Sequence, residues 1–182
     1  MNRESTMVLG GIDRSGARPR GRGRALVRSR RKGSSDRRDG ARLQVYDLRT
    51  QDSVSFRRHY KGAVTLVNVW ATYCIPCRSR DALRCRPYDS LSGNGFRIAA
   101  VSVDVVGPQE VRQFADDLHL TFDILQDRDG RIQQDYQTTG VPESFLVNKK
   151  GVIVKRLIGA QDWNSPVNRA LVTRLLAESP DS

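Results

Sequence analysis

The chain has 182 residues, room for one domain and a tail, and its three cysteines are too few for a disulfide-stapled scaffold. A net charge of +11 suggests a nucleic-acid partner, but the first 42 residues hold 13 basic and 4 acidic side chains, leaving 18 and 16, a net of +2, for the rest. No stretch is long and apolar enough to span a membrane, and the run from Thr6 to Ile12 is too short and glycine-rich for the apolar part of a secretory signal.

Residues 1–42 are rich in Arg, Gly and Ser and lack apolar periodicity. Such a segment buries too little surface to offset its ordering entropy, so it is expected to be a disordered basic tail. No aromatics interleave with its arginines to stack bases, which weakens a nucleic-acid reading. The dipeptide Arg30-Arg31 does not open a twin-arginine signal, because Gly33-Ser34-Ser35-Asp36 stands where an apolar run is required. The folded domain is expected to run from 43 to 182.

Leu43 to Leu48 alternates as a half-buried strand, Thr50 to Ser53 reads as a turn, and Val54 to Phe56 is expected to pair back as a hairpin. Ala63 to Trp70 is nearly all apolar, as in a strand covered on both faces. Pro76 to about Leu91 is predicted helical, stopped by Ser92-Gly93-Asn94-Gly95, and Phe96 to Asp104 is a second buried strand. Pro108 to Leu118 is an amphipathic helix with proline at its start. A short strand over Thr121 to Leu125 and a short helix over Ile132 to Tyr136 follow. Strands over Glu143–Asn148 and Val152–Gly159 share the turn Asn148-Lys149-Lys150-Gly151, and a helix over about Asn164–Glu178 ends the chain. This order predicts an α/β layer sandwich around a central mixed sheet.

Cys74-Ile75-Pro76-Cys77 falls where the first buried strand gives way to the predicted helix. A helix N-terminus stabilises a thiolate, and the two-residue spacing lets the sulfurs close on each other. The pair is therefore expected to exchange electron pairs with other thiols or disulfides. A zinc site would need about four ligands, and Cys85, His59 and His119 are scattered, so no metal is expected. Arg78 stands where covalent haem attachment needs histidine. Cys85 reads as a packing residue, and His59 and His119 as surface or boundary histidines.

With Val67 to Arg78, Ile98 to Asp104, Thr139 to Val147 and Lys150 to Ile153 in hand, the chain resembles the thioredoxin-fold TlpA/ResA/DsbE-like thiol-disulfide oxidoreductases over about residues 43–178. The resemblance implies a thioredoxin-like three-layer α/β/α sandwich and a redoxin-type protein-disulfide reductase, with antioxidant activity and cytochrome c biogenesis among the implied roles. It makes Cys74 the exposed nucleophile and Cys77 the buried resolving thiol. Trp70, Tyr73 and Pro76 would frame the dithiol for substrate. Val141 and a cis Pro142 would pair with an extended substrate segment, beside Glu143. No cofactor is implied. The implied partners are disulfide-bonded or dithiol proteins and a dithiol reductase that recharges the pair, with no required nucleic acid and a monomeric chain. The implied location is extracytoplasmic, although no export signal is seen and a cytoplasmic one stays open. Tyr73 departs from the family's usual Trp, and Arg80 stands where many members carry Glu, which would favour thiolate if it turned inward. Two alternatives are a binding module whose tail holds nucleic acid or acidic partners, and a peroxidase on the same fold. The peroxidase would need P-x-x-x-T-x-x-C, and Thr72 has no such proline before it.

Overall fold

The computed structural model describes residues 43–78 and 93–179. The predicted helix over 76–91 therefore shows only its first turn, the 3-10 segment Pro76–Arg78. The basic tail, Arg80 and Cys85 lie outside the described residues.

In chain order the elements are β1 (Gln44–Asp47), β2 (Ser53–Ser55), α1 (Phe56–His59), β3 (Val64–Trp70), β4 (Phe96–Ser102), α2 (Pro108–Asp117), β5 (Asp123–Gln126), α3 (Arg131–Asp135), β6 (Glu143–Val147), β7 (Ile153–Ile158) and α4 (Pro166–Ala177). The strands form one sheet in the order β2-β1-β5-β4-β3-β6-β7. β3, β4 and β5 run parallel; the outer pairings are antiparallel. The continuous apolar run of β3 is explained by this place: it sits between β4 and β6, and all seven of its residues are buried.

Alternation along the strands feeds two cores. Val67, Val69, Ala99, Val101 and Phe145 pack with Phe56 of α1, Val111 and Ala115 of α2 and Ile132 of α3. Val64, Leu66, Phe96, Ile98 and Leu146 pack with Trp163 and with Val172 and Leu175 of α4. Helices thus cover both faces of a mixed sheet, as expected. Leu66→Ala, at a fully buried position, should cost about 2–5 kcal/mol, read as a lower urea midpoint with unchanged slope.

Local chemistry sets the boundaries. Pro166 opens α4 behind Ser165, whose Oγ accepts the Asn168 N–H, and Lys149 Nζ donates to the carbonyls of Leu176 and Glu178 at the other end. The β6–β7 turn is held by Asn148 Oδ1, which accepts from the N–H groups of Lys150 and Val152, with Gly151 at φ 82°. One expectation fails at Phe56: β2 stops at Ser55, and Phe56 begins the four-residue helix α1, too short to leave a helical period in the sequence. Among the described residues no helix is long and apolar enough to cross a membrane.

His59 lies within a charged cluster. Arg97 donates to the His59 carbonyl and to Asp123 Oδ2, its Nη2 is 2.8 Å from His59 Nε2, and the Tyr60 hydroxyl also donates to Asp123. Burial pushes the Tyr60 phenol well up, and Asp123 adds to the rise.

Burial likewise raises the Asp127 carboxyl from its ordinary value, while the Ile132 N–H, 2.7 Å from Oδ2, pulls it back. A folded-state value above the unfolded one gives a contribution that is present below the unfolded value and lost as pH rises through the folded one. Asp127→Asn can keep the Ile132 bond and escapes that loss. Its stability relative to the parent should therefore grow from about pH 4 to neutrality. Urea titrations across that range check this; a constant difference refutes it.

Candidate active site

The register brings four segments to one end of the sheet. Trp70 at the carboxyl end of β3 faces Ser102 at that of β4, and Ser102 faces Gln126 of β5. β6 runs the other way, so Val69 faces Glu143 and the residues before Glu143 lie where β3 ends. The 71–78 turn, the 103–106 turn and the 139–142 loop therefore share this end.

Cys74 and Cys77 are joined as a disulfide. The turn between them is closed by its own backbone: the Cys77 N–H donates to the Cys74 carbonyl at 3.0 Å and lies 3.2 Å from Cys74 Sγ. Cys77 is fully buried and Cys74 retains 4% of its surface. The expected contrast between an exposed and a buried cysteine is thus a narrow window against none, because Cys74 packs into the core beside Trp70 and Ala71. The residues flanking Cys74 are open: Tyr73 is 65% and Ile75 81% exposed, and Pro76 is exposed too.

The Val141–Pro142 peptide is cis. Pro142 is buried and Val141 half-buried, and the Pro142 carbonyl accepts the Gly159 N–H at the end of β7.

Two expected substrate contacts are corrected. Trp70 is fully buried and stacks on Phe114 with ring centroids 5.3 Å apart, so it supports the turn from beneath and presents no surface. Glu143 is also fully buried. One oxygen accepts from Arg156 of β7 and the other from the Thr139 N–H, which ties Glu143 into the frame of the 139–142 loop. Arg156 also donates to the Gln137 carbonyl and lies over the Phe145 ring.

Thr72 and Asp104 are site residues that sequence reasoning missed. The Thr72 hydroxyl donates to Asp104, so it is not set out as a peroxidatic threonine. The signal available for Asp104 was a carboxylate closing an apolar strand; nothing in the sequence paired it with Thr72.

A disulfide closed over two residues at the carboxyl end of a central parallel strand, with a cis-proline loop at the same end of the sheet, defines a thioredoxin-fold dithiol protein. The profile of the Redoxin family matches residues 41–171, and the chain belongs to that family. Sporulation thiol-disulfide oxidoreductase A of Bacillus subtilis (strain 168) is 29% identical over 119 residues, covering 63% of this chain and 71% of that protein. Thiol-disulfide oxidoreductase ResA of the same organism is 26% identical over 121 residues, covering 66% and 60%. The thioredoxin domain of a thiol-disulfide oxidoreductase from Bacteroides vulgatus superposes with a TM-score of 0.61 at 22% identity, over 74% of this chain and 92% of that one. The protein is a thiol-disulfide oxidoreductase with a thioredoxin fold.

Proposed function

We propose that the protein is a reductant of protein disulfides working through Cys74 and Cys77 in an extracytoplasmic compartment. The carrying observation is the asymmetry of the pair: Cys74, flanked in sequence by exposed Tyr73 and Ile75, keeps some surface and Cys77 keeps none. A substrate disulfide is attacked by the Cys74 thiolate. One sulfur–sulfur bond forms to Cys74, the substrate bond breaks, and the released substrate sulfur takes up a proton. The Cys77 thiolate then attacks Cys74 Sγ, closes the intramolecular disulfide and expels the second substrate sulfur. Two electrons pass from the pair to the substrate, and a dithiol partner restores them.

The Cys77 N–H, already 3.2 Å from Cys74 Sγ, favours the thiolate that reduction leaves there. Tyr73, Pro76 and Val141 form the contact surface for an extended substrate segment, and the buried cis Pro142 sets the course of the backbone there. Trp70 and Glu143 act from beneath it. The resemblance supplies the cysteine pair of apocytochrome c as a specific substrate and an extracytoplasmic setting. Residues 1–42 are a basic tail outside this chemistry, with 43–182 as the catalytic domain.

The test is the redox equilibrium of the pair against glutathione, read by thiol alkylation, together with turnover on a protein disulfide such as insulin's. Reversible interconversion near about −270 mV marks a reductant. A potential near about −120 mV would make the protein an oxidant and reverse the proposed direction.

A further inference from the structure

The carboxyl ends of the three parallel strands are linked by a buried polar chain centred on Asp104, which is 1% exposed. Its Oδ1 accepts the Thr72 hydroxyl at 2.7 Å, and its Oδ2 accepts the Thr72 N–H at 2.9 Å and the Ser102 hydroxyl at 2.7 Å. The Asp104 N–H returns a bond to Ser102 Oγ, and Gln126 of β5 donates its amide to the carbonyls of Asp104 and Val106. No cation pairs with Asp104 among the described residues. Its three donors are neutral, and two belong to Thr72.

Thr72 stands two residues before Cys74, inside the turn that the Cys74 N–H closes onto the Ala71 carbonyl. A buried carboxylate accepting a hydroxyl and a main-chain N–H from one residue fixes both the backbone and the side chain there. A half-satisfied version of the same site would be costly, so the turn is held in one geometry. We propose that Asp104 is a positioning residue for the redox pair: by clamping Thr72 it holds Cys74 where Cys77 can close on it, and so raises the effective concentration of one sulfur at the other. Asp104 touches neither sulfur in this role and takes no part in electron transfer. The inference rests on the reading of Cys74–Cys77 as the redox pair.

The equilibrium to measure is the one in which the reduced pair and one oxidised glutathione give the protein disulfide and two reduced glutathiones. Asp104→Asn removes the carboxylate charge and keeps a single acceptor oxygen, so that Thr72 can no longer donate both its hydroxyl and its N–H to a charged group. Thr72→Val removes only the hydroxyl, while Thr72→Ser keeps it. On folded protein, Asp104→Asn should lower the equilibrium constant for disulfide formation about tenfold, a rise of about 30 mV in potential. Thr72→Val should shift it in the same direction by a smaller factor, and Thr72→Ser should stay within about twofold of the parent, the rescue that a hydrogen-bonded clamp requires. Should Asp104→Asn fail to fold, the two Thr72 variants decide. Folded Asp104→Asn and Thr72→Val with parental constants overturn the clamp, and so does a Thr72→Ser shift equal to that of Thr72→Val. A parental pair that does not exchange with glutathione at all overturns the redox reading itself, and this one with it.

Discussion

Cys77→Ser should accumulate a covalent complex through Cys74 with its protein substrate, whereas Cys74→Ser should form none and lose turnover by at least about a thousandfold, the order expected when an enzyme loses its nucleophile. The asymmetry follows from access. Cys77 is fully buried, whereas Cys74 keeps a small exposed surface and has two exposed sequence neighbours. An incoming sulfur therefore meets Cys74, and Cys77, three residues on with its N–H at the Cys74 sulfur, is placed to resolve the product. Removing the second thiol stops the cycle after its first bond. Non-reducing electrophoresis with a protein disulfide, followed by identification of the cross-linked cysteine, reads both outcomes. Equal trapping by the two variants would mean that access does not order the steps.

Arg156→Met should destabilise the fold by about 3 kcal/mol, the low end for breaking a buried pair, because Arg156 keeps 35% of its side chain in water while Glu143 has none exposed. The loss comes from the partner left behind: Glu143 would sit fully enclosed with a single N–H, that of Thr139, on its oxygens. Glu143→Gln should cost only about 1 kcal/mol, since the amide oxygen can still accept from Thr139 and the freed Arg156 can turn to water. The double variant should therefore be more stable than Arg156→Met alone, a sign that additive effects cannot produce. Urea unfolding of the three variants measures this, and a double variant weaker than either single one would show that the pair is not what holds the loop.

The sequence showed the centre of the molecule more clearly than its edges. β3 and β4 are legible because a strand with neighbours on both sides needs apolar residues on both faces. The β6–β7 turn is legible because a glycine at positive φ and an asparagine that bonds the backbone leave a local signature. The cysteine pair is legible from its spacing and from the strand before it.

What could not be read is whatever depends on distant pairing. β1 joins the sheet next to β5, some 80 residues later, and no local pattern says so. The burial of Glu143 depends on Arg156 arriving from the neighbouring strand, so a residue expected at the surface became part of the frame. Trp70 stands next to the motif in sequence, but at the strand's end it stacks on Phe114 of α2. Thr72 and Asp104, 32 positions apart, meet only once β3 and β4 lie side by side.

The hydrogen bond from Gly159 to Pro142, and the Arg156 contact with Glu143, have a consequence in time. Cys77 is followed by 78 residues before Arg156 is added. At about 5–20 residues per second, the ribosome supplies the strand that pins the 139–142 loop roughly 4–16 s after the dithiol itself. For that interval both cysteines, and then Cys85, are present before the 139–142 loop is pinned from β7. The newborn chain thus carries its dithiol for seconds before the strand that pins the cis-proline loop is made.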